Sequence, residues 1–326
     1  MQIVYLSNRP AVLAGTLQAV ARCQDWIDHA VVCAPASQHG PIVEAAGHVW
    51  DRALTLIDEN DVTGLSLAEI SALGHVERNV TLRRAVVERG HTDDTFLLSD
   101  DDYRPLTEIP ITDYVVPDGR HVGYYFYELE RWPADQTSYD QAQIRTLGIL
   151  QLLGVTTLAF GSHMPQIMTV ERWTQAFAEN DRIGGGALVD EWSLYFNTAM
   201  AASPDAFASP QPFRTLAWPQ WPHQWPFMVR PDPLRFENHY PEHEARGGLF
   251  AGMGPVTSDA DALERIVAWR QAEIAIGELR FDPAWDDPWI RGQSHRRGAA
   301  AALRAAAKVR RYASFADAGR TEPDPS

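Results

Sequence analysis

The chain has 326 residues, 45% hydrophobic and 22% charged, enough to bury a full core as one large α/β domain or one domain with appendages. Its net charge of −15 is uneven: residues 291–326 carry eight basic against three acidic side chains, +5, leaving −20 on residues 1–290, which argues against nucleic acid as a partner of the body. The opening MQIVYLSNRP lacks a secretory pattern, no apolar run nears the roughly 20 residues that span a bilayer, and Cys23 and Cys33 alone make no disulfide framework, so a cytoplasmic protein with two core thiols is expected.

Gln2 to Leu6 (QIVYL) is rich in β-branched and aromatic residues and reads as a buried strand. Pro10 suits a first helical turn, and Leu13, Leu17 and Val20 follow at helical spacing. His29 to Ala34 reads as a second strand closed by Pro35, and Gly47 to Trp50 as a short third one. Ser66 to Arg89 is a long helical stretch with a break near Gly74, stopped by Gly90. Thr95 to Leu98 (TFLL) is a further strand, and it runs directly into Ser99-Asp100-Asp101-Asp102-Tyr103. Strands alternating with helices predict a mostly parallel sheet covered on both faces.

Beyond this point the pattern changes. Val122 to Leu129 reads as an aromatic strand, and Ser138 as the cap of a helix to about Leu153 with Ile144, Leu147 and Leu150 on one face. Val155 to Phe160 reads as a strand leading into Gly161-Ser162-His163-Met164-Pro165. Gly184-Gly185-Gly186 reads as a mobile loop or hinge before a helix bearing Asp190-Glu191-Trp192. Residues 209–243 are dense in Pro, Trp and His, an irregular segment too aromatic for a disordered linker. Ser258 is expected to cap a last core helix with Leu263, Val267 and Ile274 apolar, and residues 291–312 form a basic, alanine-rich helix.

The three consecutive carboxylates are the strongest chemical signal. Like charges side by side repel, and burying an unpaired ion costs several kcal/mol in practice. A hard divalent cation, Mg²⁺ or Mn²⁺, resolves this, and the carboxyl end of a strand is where open α/β sheets bind ligands. A solvated acidic turn is the alternative. An aspartyl-nucleophile phosphatase would place Asp-x-Asp-x-Thr/Val near its first strand, whereas the fifth position from Asp100 is Arg104. A sugar nucleotidyltransferase would open with a glycine-rich phosphate loop, where this chain has Ser7-Asn8-Arg9-Pro10.

An Asp-x-Asp at the end of a strand about a hundred residues from the start resembles the metal motif of GT-A fold glycosyltransferases, in order and spacing over roughly residues 1–200. Arg78-Asn79 ahead of LLSDDDY, with the later His163-Met164-Pro165, is also similar to the bacterial stealth sugar-phosphate transferases. The resemblance implies a Rossmann-like GT-A nucleotide-binding domain over residues 1–290 with a C-terminal helical tail over 291–326. Residues 1–130 would be its nucleotide and metal half, and 131–290 its acceptor half. It implies that Leu6, Ser7, Asn8 and Arg9 lie under the nucleotide, that Arg78, Asn79, Arg83, Asp100 and Asp101 contact the donor, and that Asp100, Asp102 and a late His239 hold Mn²⁺ or Mg²⁺. It further implies a nucleoside-diphosphate sugar as donor and a sugar, a lipid-linked molecule or a small molecule as acceptor.

Physical chemistry gives some of these residues the same roles. A diphosphate leaving group gains negative charge as the sugar departs, and a metal ion with a planar guanidinium stabilises it there. The resemblance implies that Asp190 or Glu191, an acidic pair at a helix start beyond the metal motif, takes the acceptor's proton; a plain capping pair is the other reading. His163, Trp192 and Trp221 are acceptor candidates, with the tryptophans near 218–225 otherwise read as a loop packed on the core. Arg78, Arg83 and Arg84 could equally form a solvated helix face, and His239 or His243 could be packed or surface histidines. The basic tail would touch an anionic membrane only weakly, since its bulky apolar residues are few, or would pack on the acidic body. The alternatives to sugar transfer are transfer of a hexose-1-phosphate and carbohydrate binding without turnover.

Overall fold

A computed structural model describes residues 1–125, 127–131, 137–161, 163–213 and 215–216, together with 235–239, 244–246, 250–253, 256, 258, 260–261, 263–265 and 267–268. The first unit is the expected β-α-β. Strand β1 (Gln2–Leu6) leads into helix α1 (Pro10–Cys23), which starts on Pro10 and buries Leu13, Leu17 and Val20, and then into β2 (His29–Ala34). Cys23 and Cys33 are both buried, small core side chains as expected.

Helix α2 (Ala36–Ala46) follows, and here the sequence reading is corrected. Gly47 to Trp50 is the turn that leaves α2, and the third strand is β3 (Ala53–Asp58). Its ALTLID alternates in burial because β3 is an edge strand with one face open. Pro41 sits inside α2.

The stretch after β3 breaks into α3 (Glu59–Thr63), α4 (Leu67–Ala72) and α5 (His75–Glu88), with Gly74 as the N-cap of α5. Strand β4 (Thr95–Leu98) then enters the sheet beside β1. The central order is β3-β2-β1-β4-β9, with the first four strands parallel and β9 (Gln166–Thr169) antiparallel on the edge. The chain steps outward from β1 to β3 and then returns past β1 to β4. Right-handed crossovers therefore put α1 and α2 on one face and α5 on the other. The reversal leaves a crevice at the carboxyl ends of β1 and β4.

Short strands build the rest of that rim. They are β5 (Tyr103–Pro105), β6 (Tyr124–Tyr125), β7 (Tyr127–Glu128), β8 (Leu158–Ala159), β10 (Gln211–Pro212), β11 (Thr215–Leu216) and β12 (Phe236–Asn238). The expected aromatic strand over 122–129 is thus two separate pieces, one pairing with β10 and one with β8. Strand β12 returns antiparallel to β5, with Glu237 opposite Arg104 and Asn238 opposite Tyr103.

Helix α6 (Ser138–Leu153) ends on Gly154 in the left-handed conformation. Its cap is Thr137, not Ser138: the Thr137 side chain accepts from the Asp140 amide while the Asp140 carboxylate accepts from the Thr137 amide. Ile144 is 45% exposed, and the buried face runs instead through Ala142, Thr146, Ile149 and Leu150. We expect Thr137→Ala to lower stability by about 1 kcal/mol in a urea titration, and Ser138→Ala by less than half of that.

Helix α7 (Val170–Gly184) stops where Gly185 and Gly186 take positive φ, so the glycine run is a helix terminus rather than a hinge. Helix α8 (Glu191–Ala202) follows, with Asp190 as its N-cap. Ser258 does accept from the Asp261 amide in the manner of a cap, but Leu263 and Val267 are 62% and 47% exposed, so they do not form a core face. Ile274 and the tail over 291–326 lie outside the described residues, as do Trp218, Trp221, Trp225 and His243.

Candidate functional site

Two strand ends meet at the crevice. Ser7 and Arg9, which follow β1, face the acidic run that follows β4. The Ser7 hydroxyl donates to Asp101 Oδ2 at 2.6 Å. Arg9 reaches both neighbouring acids through one nitrogen: Nη2 donates to Asp101 Oδ1 and, at 2.9 Å, to Asp102 Oδ2. Asp101 and Asp102 are buried, and Asp101 is held at its backbone too, where the Thr16 hydroxyl donates to its carbonyl. Ser7 and Arg9 lie more than ninety residues from these acids in sequence, and the pairing of β1 with β4 brings them together.

Asp100 turns the other way. It pairs with Arg83 from α5 and with His163, whose Nδ1 lies 2.7 Å away. Arg83 is buried and spans two acids, Asp100 through Nη2 and Glu191 through Nη1, while its guanidinium lies 4.3 Å from the centre of the Trp192 ring. His163 packs 5.1 Å from Trp192 and stands 3.3 Å from the Tyr139 hydroxyl. Among the described residues it is the one non-glycine with positive φ, at 59°, a strained conformation of the kind that clusters at functional sites.

A pocket of about 50 Å³ opens among His75, Asn79, Arg83, Tyr139, His163, Asp190 and Glu191. Five of those seven residues were expected from sequence: Asn79, Arg83, His163, Asp190 and Glu191.

The adjacent acids Asp190 and Glu191 do different things. Asp190 accepts from the Ser193 amide as the cap of α8 and from Gln143 Nε2 at 2.8 Å, so both of its oxygens are occupied. Glu191 faces Arg83.

Other expected residues sit elsewhere. Arg78 pairs with buried Glu59 at the start of α3, outside the pocket, and Arg84 pairs outward with Asp181 and Glu88. Trp192 is fully buried beneath Arg83 and His163, so it supports them and offers no open stacking face. Leu6 and Asn8 are half-buried at the mouth of the crevice. His239 is buried, with its amide donating to the Asp102 carbonyl at 2.6 Å and its ring near Glu244.

The sequence reading missed the support behind Asp102. Arg104 pairs with Glu237 across the β5–β12 ladder, and Arg265 pairs with Glu244. This brings Asn238 to Asp102, where Asn238 Nδ2 donates to Asp102 Oδ1 at 3.1 Å. No local signal marks these residues, because the two strands are more than 130 positions apart.

Electrostatics set the protonation states. Burial would raise the Asp100 carboxyl, but Arg83 and His163 hold it well below the usual range. Burial also lowers the His163 imidazole, yet Asp100 outweighs it and the ring is raised above its ordinary value. Burial and the charge of Asp101 push Asp102 up to about 7, and Asp101 and Glu191 are raised by burial as well. Five carboxylates thus converge on two guanidiniums and one imidazole, and the site remains short of positive charge.

Among the described residues no group of three or more metal-type side chains is already disposed to hold an ion. The donor chemistry nevertheless fits a hard divalent cation. Burial and the charge of Asp101 raise the Asp102 carboxyl, and Asn238 Oδ1 beside it is buried with no hydrogen-bond partner among the described residues. Also among the described residues, no helix is long and apolar enough to cross a membrane.

No family model matches the chain, and no curated protein sequence matches it. Solved structures of LgtC are similar in backbone. One, of an active-site mutant, is 10% identical, covers 83% of this chain and all of that one, and has a TM-score of 0.42. Another, of galactosyltransferase LgtC in complex with donor and acceptor sugar analogues, is 12% identical, covers 83% of this chain and 96% of that one, and also has a TM-score of 0.42. Likeness at this level leaves the chemistry to be argued from the side chains.

Proposed function

We propose that the protein transfers a sugar from a nucleoside-diphosphate sugar to an acceptor hydroxyl, as a GT-A type glycosyltransferase. The observation that carries this reading is the crevice itself. A strand-order reversal juxtaposes Ser7 and Arg9 with Asp101 and Asp102, and Arg83, Asp100, His163 and Glu191 continue the charged surface into the adjoining pocket.

The residues then divide into roles. Leu6 to Arg9 border the nucleotide. Arg9 offers a planar fork to phosphate oxygens, and Arg83 and Asn79 line the adjoining pocket. Asp101 and Asp102, with His239 and the Asn238 amide beside them, would hold Mn²⁺ or Mg²⁺, while Asp100 faces Arg83 and His163. When bound, the ion neutralises charge on the departing diphosphate. Glu191 is better placed than Asp190 to take the acceptor's proton, because Asp190 is committed to capping α8 and burial already raises the Glu191 carboxyl. His163 faces the acceptor side. Residues 1–130 thus supply the donor half and residues 131–290 the acceptor half.

The test is a panel of nucleoside-diphosphate sugars with Mn²⁺, Mg²⁺ or chelator, followed by thermal shift and product analysis. We expect one base to stabilise the protein only with cation, release of the nucleoside diphosphate, and at least a hundredfold loss of transfer in Asp102→Asn. Release of a nucleoside monophosphate would replace sugar transfer with hexose-1-phosphate transfer. Stabilisation by free sugars without turnover would mean a carbohydrate-binding protein. If no donor binds and Asp102→Asn behaves as wild type, the proposal is lost.

A further inference from the structure

We infer that Arg9 is an exchangeable counter-ion: its guanidinium holds the place of the divalent cation between Asp101 and Asp102, and arrival of the cation releases it to an anionic phosphate ligand. This rests on the reading of the acidic run as a cation site.

The geometry is specific. A single nitrogen, Arg9 Nη2, bridges the carboxylates of Asp101 and Asp102, the position a cation shared by both acids would take. Arg9 Nε adds only a long contact of 3.4 Å to Asp101 Oδ2, and Nη1 bonds to no described residue. One edge of the fork is therefore already turned away from the acids. Burial is unequal as well. The Arg9 side chain is 29% exposed, while those of Asp101 and Asp102 are 4% and 10%. The acids are fixed by Ser7, Thr16 and Asn238, whereas among the described residues the Arg9 guanidinium is held by the acids alone. The arginine is the partner free to move.

Charge explains why it would. One guanidinium between two buried carboxylates leaves a net negative charge, and a divalent ion neutralises both. The ion's arrival removes the attraction that holds Arg9, and the displaced guanidinium then stands at the crevice mouth beside the bound cation. An anion ligated there meets two positive centres in place of one. Cation and anion binding are thereby coupled through a residue that competes with the first and assists the second, and such coupling is reciprocal.

The experiment counts bound Mn²⁺ by electron paramagnetic resonance on the full chain, with no nucleotide present, for wild type, Arg9→Ala and Arg9→Lys. We expect the alanine variant to bind Mn²⁺ at least tenfold more tightly than wild type, with lysine between them. Inorganic pyrophosphate, titrated against the Mn²⁺-saturated proteins, is expected to bind at least tenfold more weakly to the alanine variant. Unchanged or weaker Mn²⁺ affinity in the alanine variant overturns the inference, as does a wild type and variants that all fold and bind no Mn²⁺. Circular dichroism checks folding. Should Arg9→Ala fail to fold, the lysine variant decides, since a native Arg9→Lys with wild-type Mn²⁺ affinity is equally fatal. No sugar nucleotide enters either titration, so a failure of sugar transfer leaves this result standing. Conversely, turnover of a nucleotide sugar by a protein whose Mn²⁺ affinity ignores position 9 removes this inference alone.

Discussion

Arg83→Met is expected to lower the stability of the protein by about 3–5 kcal/mol, read from urea denaturation. The size follows from what is left behind. Arg83 is buried and pairs through separate nitrogens with Asp100 and Glu191, so an apolar replacement strands the buried Glu191 carboxylate and leaves half-buried Asp100 with His163. It also removes a guanidinium that lies over Trp192. Both acids would gain protons to escape, which would disarm the pocket as well as loosen it. Arg83→Lys keeps the charge but offers one point where two are needed, so an intermediate loss is expected. A methionine variant within 1 kcal/mol of wild type would show that the two acids find other partners.

The second large effect is expected from a single methyl group. In Gly161→Ala the new Cβ would clash with Asp190 Oδ2 and meet Asp190 Cγ at 2.9 Å. Asp190 cannot retreat cheaply, because its carboxylate caps α8 and accepts from Gln143, while its own amide donates to Thr146. Overpacking together with a damaged cap puts the loss at about 2–4 kcal/mol. Gly148→Ala, in the interior of α6 with nothing within 4 Å of the added carbon, serves as control and should be neutral or stabilising by up to roughly 1 kcal/mol. The double variant Gly161→Ala, Asp190→Ala should cost less than the sum of its parts, since each change relieves the other.

The legible parts of the chain were those that local chemistry dictates. QIVYL and HAVVCA had to be buried strands, Pro10 had to start a helix, and TFLL running into three aspartates placed the acidic cluster at a strand end. The illegible parts depended on distant partners. The apolar piece Gly47 to Trp50 looked more strand-like than ALTLID, because an edge strand shows alternation where a central one shows a continuous run. Ile144 matched a helical stripe, yet the side of α6 that packs was chosen by α7 and α8. The glycine run at 184–186 spelled flexibility to a local reading, whereas two of its members supply the left-handed turn that ends α7.

The site divides in the same way. Asp100, Asp102, Arg83, His163 and the 190–191 pair could be nominated from residue type and position. That Arg9 would occupy Asp101 and Asp102, or that Asp190 would spend its carboxylate on a cap, follows only from the three-dimensional contacts.

The antiparallel return of β12 to β5 also has a consequence for biosynthesis. Asn238 and Asp102 are 136 residues apart, so at ribosomal speeds of about 5–20 residues per second the acids wait roughly 7–27 s for the strand that covers them. During that interval the nascent sheet can already pair β1 with β2 and β4, while the carboxylates still face water and whatever ions the surroundings supply. Closure of the rim is then a late event in the life of each molecule, and a translational pause before residue 235 would prolong the exposed stage without disturbing the sheet beneath.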